Sequence, residues 1–219
     1  MCLAAIDTYA QNEAVKGADS SGRLYNHYIG LQLNELIKQV FNYDKTAGGN
    51  PYQLTYSLTS VKNKWNLRSG IGANFSNQTN IGTYIDTTIK SLSVQVRLGS
   101  ERSFKLYKRF VGGIGLDIVY DYRKVENIQK ESQLSAPTSN DELDNTTTRE
   151  LFGGGPELSL KYQFSNRIAV GTELELYYLN GTKKNKIIDK NFATDRSKSI
   201  SIKQSTINTP VVFYLIIKL

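Results

Sequence analysis

Three glutamates, Glu157, Glu173 and Glu175, are the residues whose type and spacing first suggest chemistry. Paired carboxylates can act as acid and base at a glycosidic bond, provided a substrate-sized cleft lies between them. Histidine offers less. The chain has one, His27, which excludes a multi-histidine metal site and leaves little room for a Ser-His-acid relay. The single cysteine, Cys2, excludes a disulfide framework and a cysteine zinc site. The runs Gly112-Gly113-Ile114-Gly115 and Gly153-Gly154-Gly155-Pro156 are followed neither by a helix nor by the Lys-Ser/Thr pair of a phosphate loop. No metal and no cofactor are expected, and the chain reads as non-enzymatic.

The elements that must position these residues are strands. Apolar and polar residues alternate with period two through 52–60, 65–76, 91–99, 110–123, 152–164, 168–178 and 211–219. In 91–99, Leu92, Val94, Val96 and Leu98 oppose Ser91, Ser93, Gln95, Arg97 and Gly99. In 168–178, Ile168, Val170, Leu174, Leu176 and Tyr178 oppose Gly171, Glu173 and Glu175. The first element, 26–41, alternates at Tyr28–Leu33, while Leu33, Leu36, Ile37, Val40 and Phe41 also fit a helical face; we read it as a strand, because the last strand needs a partner. Pro156 and Pro210 fall within strands and suggest bulges. The result is about eight strands, joined alternately by short connections (61–64, 99–106, 165–166) and longer polar ones (42–50, 77–87, 124–148, 180–198).

A closed antiparallel up-and-down transmembrane β-barrel satisfies this layout. A soluble lipocalin-like barrel lined by apolar side chains is the alternative, since both alternate. Glycine favours the membrane form: Gly70, Gly72, Gly113, Gly115, Gly153, Gly155 and Gly171 all fall on the polar face, where they make room for charged neighbours inside a narrow barrel. The aromatics form two bands. Trp65, Phe110, Tyr162 and Phe164 fall at the short-turn ends, and Phe75, Tyr120, Tyr122, Phe152 and Tyr178 at the long-loop ends. The polar face then places Arg68, Arg97, Asp117, Asp121, Arg123, Glu157, Lys161, Glu173 and Glu175 in the lumen. Charges of both signs in an enclosed space pair up, so an ionic plug is expected in preference to a glycosidase site.

The 219 residues carry 39% hydrophobic and 21% charged side chains, with 14 Tyr and 8 Phe, which argues against disorder. No run approaches the roughly 20 apolar residues of a membrane helix. The net charge is +7 and the pI about 9.3. The basic residues are not interleaved with aromatics as on a nucleic-acid face, and no nucleic acid is expected. They gather partly in 180–198, where Lys183, Lys184, Lys186 and Lys190 read as a loop able to meet glycolipid phosphates. The segment Cys2-Leu3-Ala4-Ala5-Ile6, followed by small residues to Ala10, reads as the end of a secretory signal with cleavage after Ala10. The expected organisation is a residual signal segment at 1–10, a lead-in at 11–24 and one barrel domain at 25–219.

Two segments, Tyr28-Ile29-Gly30-Leu31-Gln32-Leu33-Asn34-Glu35-Leu36-Ile37-Lys38-Gln39 and Pro210-Val211-Val212-Phe213-Tyr214-Leu215-Ile216-Ile217-Lys218-Leu219, resemble the first and last strands of small porin-like outer-membrane β-barrel proteins of Bacteroidota. Such barrels usually end on an aromatic residue, and this chain ends on Leu219. The resemblance implies the outer membrane of a Gram-negative bacterium. It also implies contact with outer-membrane lipids and lipopolysaccharide, insertion by the barrel assembly machinery, and a role in envelope structure or in presenting surface loops to other envelope proteins. An outer-membrane lipid-modifying enzyme would need Ser, His and an acid together at the outer rim, whereas His27 falls at the opposite end of the first strand.

Overall fold

The computed structural model describes residues 24–33, 53–131, 142–189, 194–208 and 213–219. The expected signal segment 1–10, nearly all of the lead-in, residues 34–41 of the first element, Lys190 and Pro210 lie outside them. The described residues are all-β. Nine strands follow in order: β1 (Tyr25–Gln32), β2 (Leu54–Ser60), β3 (Trp65–Asn80), β4 (Ile85–Tyr107), β5 (Phe110–Glu131), β6 (Glu142–Gln163), β7 (Ile168–Asp189), β8 (Thr194–Asn208) and β9 (Tyr214–Lys218).

Every pairing is antiparallel, and each strand from β1 to β7 pairs with the next. The hydrogen-bond ring closes through β9, which pairs with β1 on one side and with Ile168–Gly171 of β7 on the other. β8 pairs with Glu175–Asp189 of the same β7 edge. Nine strands therefore occupy eight positions around the ring, with β8 and β9 sharing the last.

The alternation becomes two faces. Arg97 is 1% exposed on the inner face, while Leu116 on the outer face is 66% exposed and Phe152 60%. At the short-turn end, Phe110, Tyr162 and Phe164 stack edge to face on the outer surface, with ring centroids 5.0 Å apart for each pair. The turns between β2 and β3 and between β4 and β5 put Lys64 (φ 56°) and Lys108 (φ 37°) in the left-handed region. In the turn after β6, the Ser165 hydroxyl accepts hydrogen bonds from the backbone N–H groups of Arg167 (3.2 Å) and Ile168 (3.1 Å).

The structure corrects several expectations. Residues 99–106 are not a turn but the end of β4, and the chain reverses at 108–109. Most of 77–87, 124–148 and 180–198 is strand, because polar residues in both phases still pair along the ladder once the neighbouring strands are that long. The proposed basic loop is therefore not a loop: Lys183, Lys184 and Lys186 belong to β7. Pro156 marks no bulge. The β6–β7 register is the same on either side of it, from Gly154↔Tyr178 to Glu157↔Glu175.

Candidate functional site: an ionic network inside the ring

The register explains why the charges meet. Glu101, Gly115, Glu157 and Glu175 are successive cross-strand neighbours on β4, β5, β6 and β7. Arg68, Gly99 and Asp117 form the adjoining row on β3, β4 and β5. Each row is a line of inward side chains interrupted by glycine. A Cβ on Gly115 would stand 2.7 Å from Glu157 Oε2, and one on Gly113 2.5 Å from the carboxyl carbon of Glu101. The glycines are the space into which the long charged side chains fold.

Arg68 is the hub. Its guanidinium pairs with Glu157, with Glu101 at 3.0 Å, with Glu173 at 3.1 Å and with Asp117 at 3.6 Å. Arg97 pairs with Glu175, with Glu173 at 2.6 Å and with Asp117 at 3.7 Å. Lys161 Nζ donates to Glu101 Oε1 at 2.8 Å, and the Ser103 hydroxyl donates to the same oxygen at 2.9 Å. Tyr177 OH donates to Asp117 Oδ2 at 2.6 Å. Among the described residues, three cations thus meet five carboxylates, a formal excess of two negative charges.

Glu101, Glu157 and Glu175 are each 0% exposed. The network links strands that are not neighbours. β3 and β6 are not neighbours in the ring, nor are β4 and β7, yet Arg68–Glu157 and Arg97–Glu175 join them across the interior. Beside the charges, Val119, Leu151, Tyr177 and Leu179 form a buried apolar layer, with Ile202 of β8 packed against it. Past that layer, Arg149 donates to Asp121 Oδ2 at 2.9 Å and to Gln204 Oε1 at 3.2 Å.

Of the residues expected inside, Arg68, Arg97, Asp117, Glu157, Lys161, Glu173 and Glu175 come together in one network. Asp121 stands apart in its pair with Arg149. Arg123 is exposed and lines a separate cavity nearer the long-strand end. Sequence reading missed Glu101 and Arg149. Glu101 continues the inward phase of Gln95, Arg97 and Gly99, but reading 99–106 as a turn hid it. Arg149 is in phase with Gly153 and Gly155, but it falls between the expected connection 124–148 and the expected strand 152–164. His27 lies at the short-turn end, where its Nδ1 is 2.7 Å from the Tyr56 hydroxyl. Among the described residues, no group of three or more His, Cys, Asp or Glu side chains is placed to hold a metal ion.

Comparison with protein-family models, with curated proteins and with solved structures finds no match.

Proposed function

We propose that the ring is a transmembrane β-barrel of a Gram-negative outer membrane, non-enzymatic and closed to solutes, serving envelope structure or binding through its long-strand end. One observation carries the reading: the charged side chains are inside and the apolar ones outside. Leu67, Ile71, Leu98, Ile114, Leu116, Ile118, Leu158 and Leu176 are all exposed on the outer face. A monomer in water rarely shows more than about 300–600 Å² of contiguous apolar surface. Here the band runs around the ring between two aromatic edges. From Phe110 to Tyr120 is ten residues along β5, ~33 Å at ~3.3 Å each. At the ~40° tilt of such barrels that is ~25 Å of height, the thickness of an outer-membrane apolar belt.

The partners that follow are outer-membrane lipids, lipopolysaccharide and the barrel assembly machinery. Lys184 and Lys186 support the glycolipid contact. They lie on the outer face of β7, in phase with Tyr178 and beyond it, where lipid phosphates would meet them. A soluble barrel holding an apolar ligand is disfavoured by the charges that occupy its interior. The test is fractionation with gel mobility: the protein should stay with membranes through carbonate washing and migrate differently after boiling. Release by carbonate, with no heat-dependent shift, would refute the reading.

A further inference from the structure

Above the apolar layer, three cations stand side by side. Arg123 of β5 is the direct cross-strand partner of Arg149 on β6, and Arg149 is the direct partner of Lys183 on β7. All three side chains line one cavity of about 340 Å³, together with Val125, Thr147 and Ile202. Like charges directly opposite each other destabilise a sheet. Two such oppositions in one row need a compensating anion, and the described residues supply little of one. Asp121 takes Arg149, whose buried Nε still has no hydrogen-bond partner, and neither Arg123 nor Lys183 makes an ion pair among the described residues.

We propose that Arg123, Arg149 and Lys183 form a binding site for a phosphate group, held at the long-strand end of the ring interior. The guanidinium fork of Arg123, the unpartnered Nε–H of Arg149 and the ammonium of Lys183, from three adjacent strands around one cavity, suit a tetrahedral anion with several oxygens. The cavity volume equals about eleven waters at ~30 Å³ each, enough for a phosphate and a small organic substituent. Val125 and Ile202 give that substituent an apolar wall. The site sits on the inner face, unlike Lys184 and Lys186 on the outer face of the same strand, so a soluble phosphate monoester reaches it more directly than a membrane lipid. It depends on the ring interior and not on what the outer face meets.

The test is calorimetric titration of the full chain, in a phosphate-free maltoside detergent, with phenyl phosphate and separately with phosphatidic acid in mixed micelles. Saturable binding of phenyl phosphate is expected, weakened about tenfold or more in the double variant Arg123→Gln/Lys183→Gln. The outer-face variant Lys184→Gln/Lys186→Gln should bind as the wild type does. Thermal stability of the inner double variant should equal or exceed that of the wild type, because both like-charge oppositions are removed. Binding of phosphatidic acid alone, lost in the inner variant, would keep the site and assign the phosphate to a lipid headgroup. The proposal is overturned if neither probe binds saturably, if only the outer-face variant loses binding, or if the inner variant loses stability while binding is unchanged.

Discussion

Glu157 and Glu175 stand directly opposite each other across the β6–β7 ladder, and each is held by a different arginine reaching over the interior, Arg68 from β3 and Arg97 from β4. Two facing carboxylates would repel if left alone. Their separation onto two cations turns a local repulsion into two braces across the ring.

Because the network holds three cations against five carboxylates, its members should not be equally sensitive. Arg97→Met removes one of the three cations that the described residues bring to the network and takes the arginine away from Glu175 and Glu173. It should cost about 3–5 kcal/mol, the range for breaking one side of a buried pair. Glu157→Gln keeps the shape and lowers the negative excess, and should cost only about 1 kcal/mol. Urea unfolding of the two variants in the same detergent or bilayer gives the comparison; equal losses would contradict the charge argument.

The outer face makes the opposite demand. Leu116→Arg places a charge midway between the two aromatic edges, and in a bilayer should lower stability by about 2–4 kcal/mol. Val94→Arg, also on the outer face but nearer the long-strand edge, should cost less. Reversible folding into vesicles measures both. A Leu116→Arg variant as stable in lipid as the wild type would contradict the membrane reading.

The interior should not conduct. Arg68, Arg97, Glu101, Glu157 and Glu175 are buried against one another, and the adjacent layer is Val119, Leu151, Tyr177 and Leu179. A ring of eight positions has an interior that side chains can fill. Single-channel recordings across planar bilayers should show no large steady conductance. A stable pore that passes sugars would mean that the network opens.

Why some of this was legible in the sequence and some was not has a physical reason. Where one face is apolar and the other charged, as from Phe110 to Tyr122, period-two alternation identifies both the strand and its inward residues. The same alternation puts Arg68, Arg97, Asp117 and Glu157 on the polar face of their strands without reference to register. The signal fails once both faces are polar. The outer half of β7, from Asn180 to Asp189, carries Thr182, Lys184 and Lys186 on one face and Lys183 and Asn185 on the other, so nothing alternates and the segment reads as a loop. β8 carries polar residues on both faces too and is hidden in the same way. The inward Val119, Leu151 and Leu179 are the reverse case: apolar residues on the charged face, silent in a pattern that sorts residues by polarity. The cation row is a property of register between β5, β6 and β7, which the alternation within any one strand does not reveal.

The turn at Lys64 gives a local test. Its φ of 56° places a side-chain-bearing residue in the left-handed region, while its N–H donates to Ser60 O at 3.2 Å and its carbonyl accepts from Ser103 N at 3.1 Å. Lys64→Val should destabilise by about 1–2 kcal/mol, since a β-branched residue tolerates this conformation poorly. Lys64→Gly should be neutral or slightly stabilising. Paired denaturant titrations distinguish this from a loss of the lysine charge, which both variants share.

The two faces of β7 separate two roles for its lysines. Lys184 and Lys186 point outward beyond Tyr178, while Lys183 points inward beside Arg149. If the outer pair meets lipopolysaccharide phosphates, Lys184→Gln/Lys186→Gln should weaken association with lipopolysaccharide-containing vesicles, and Lys183→Gln should not. The contrast should be largest at low salt and shrink as the screening length falls to about 10 Å at 0.1 M. Folding should be unaffected, because these positions lie outside the apolar band and exposed charges contribute little to stability. Vesicle flotation at two salt concentrations reads the difference. An effect that persists at high salt would point to a contact other than charge, and equal binding by all three proteins would remove the glycolipid role from this strand.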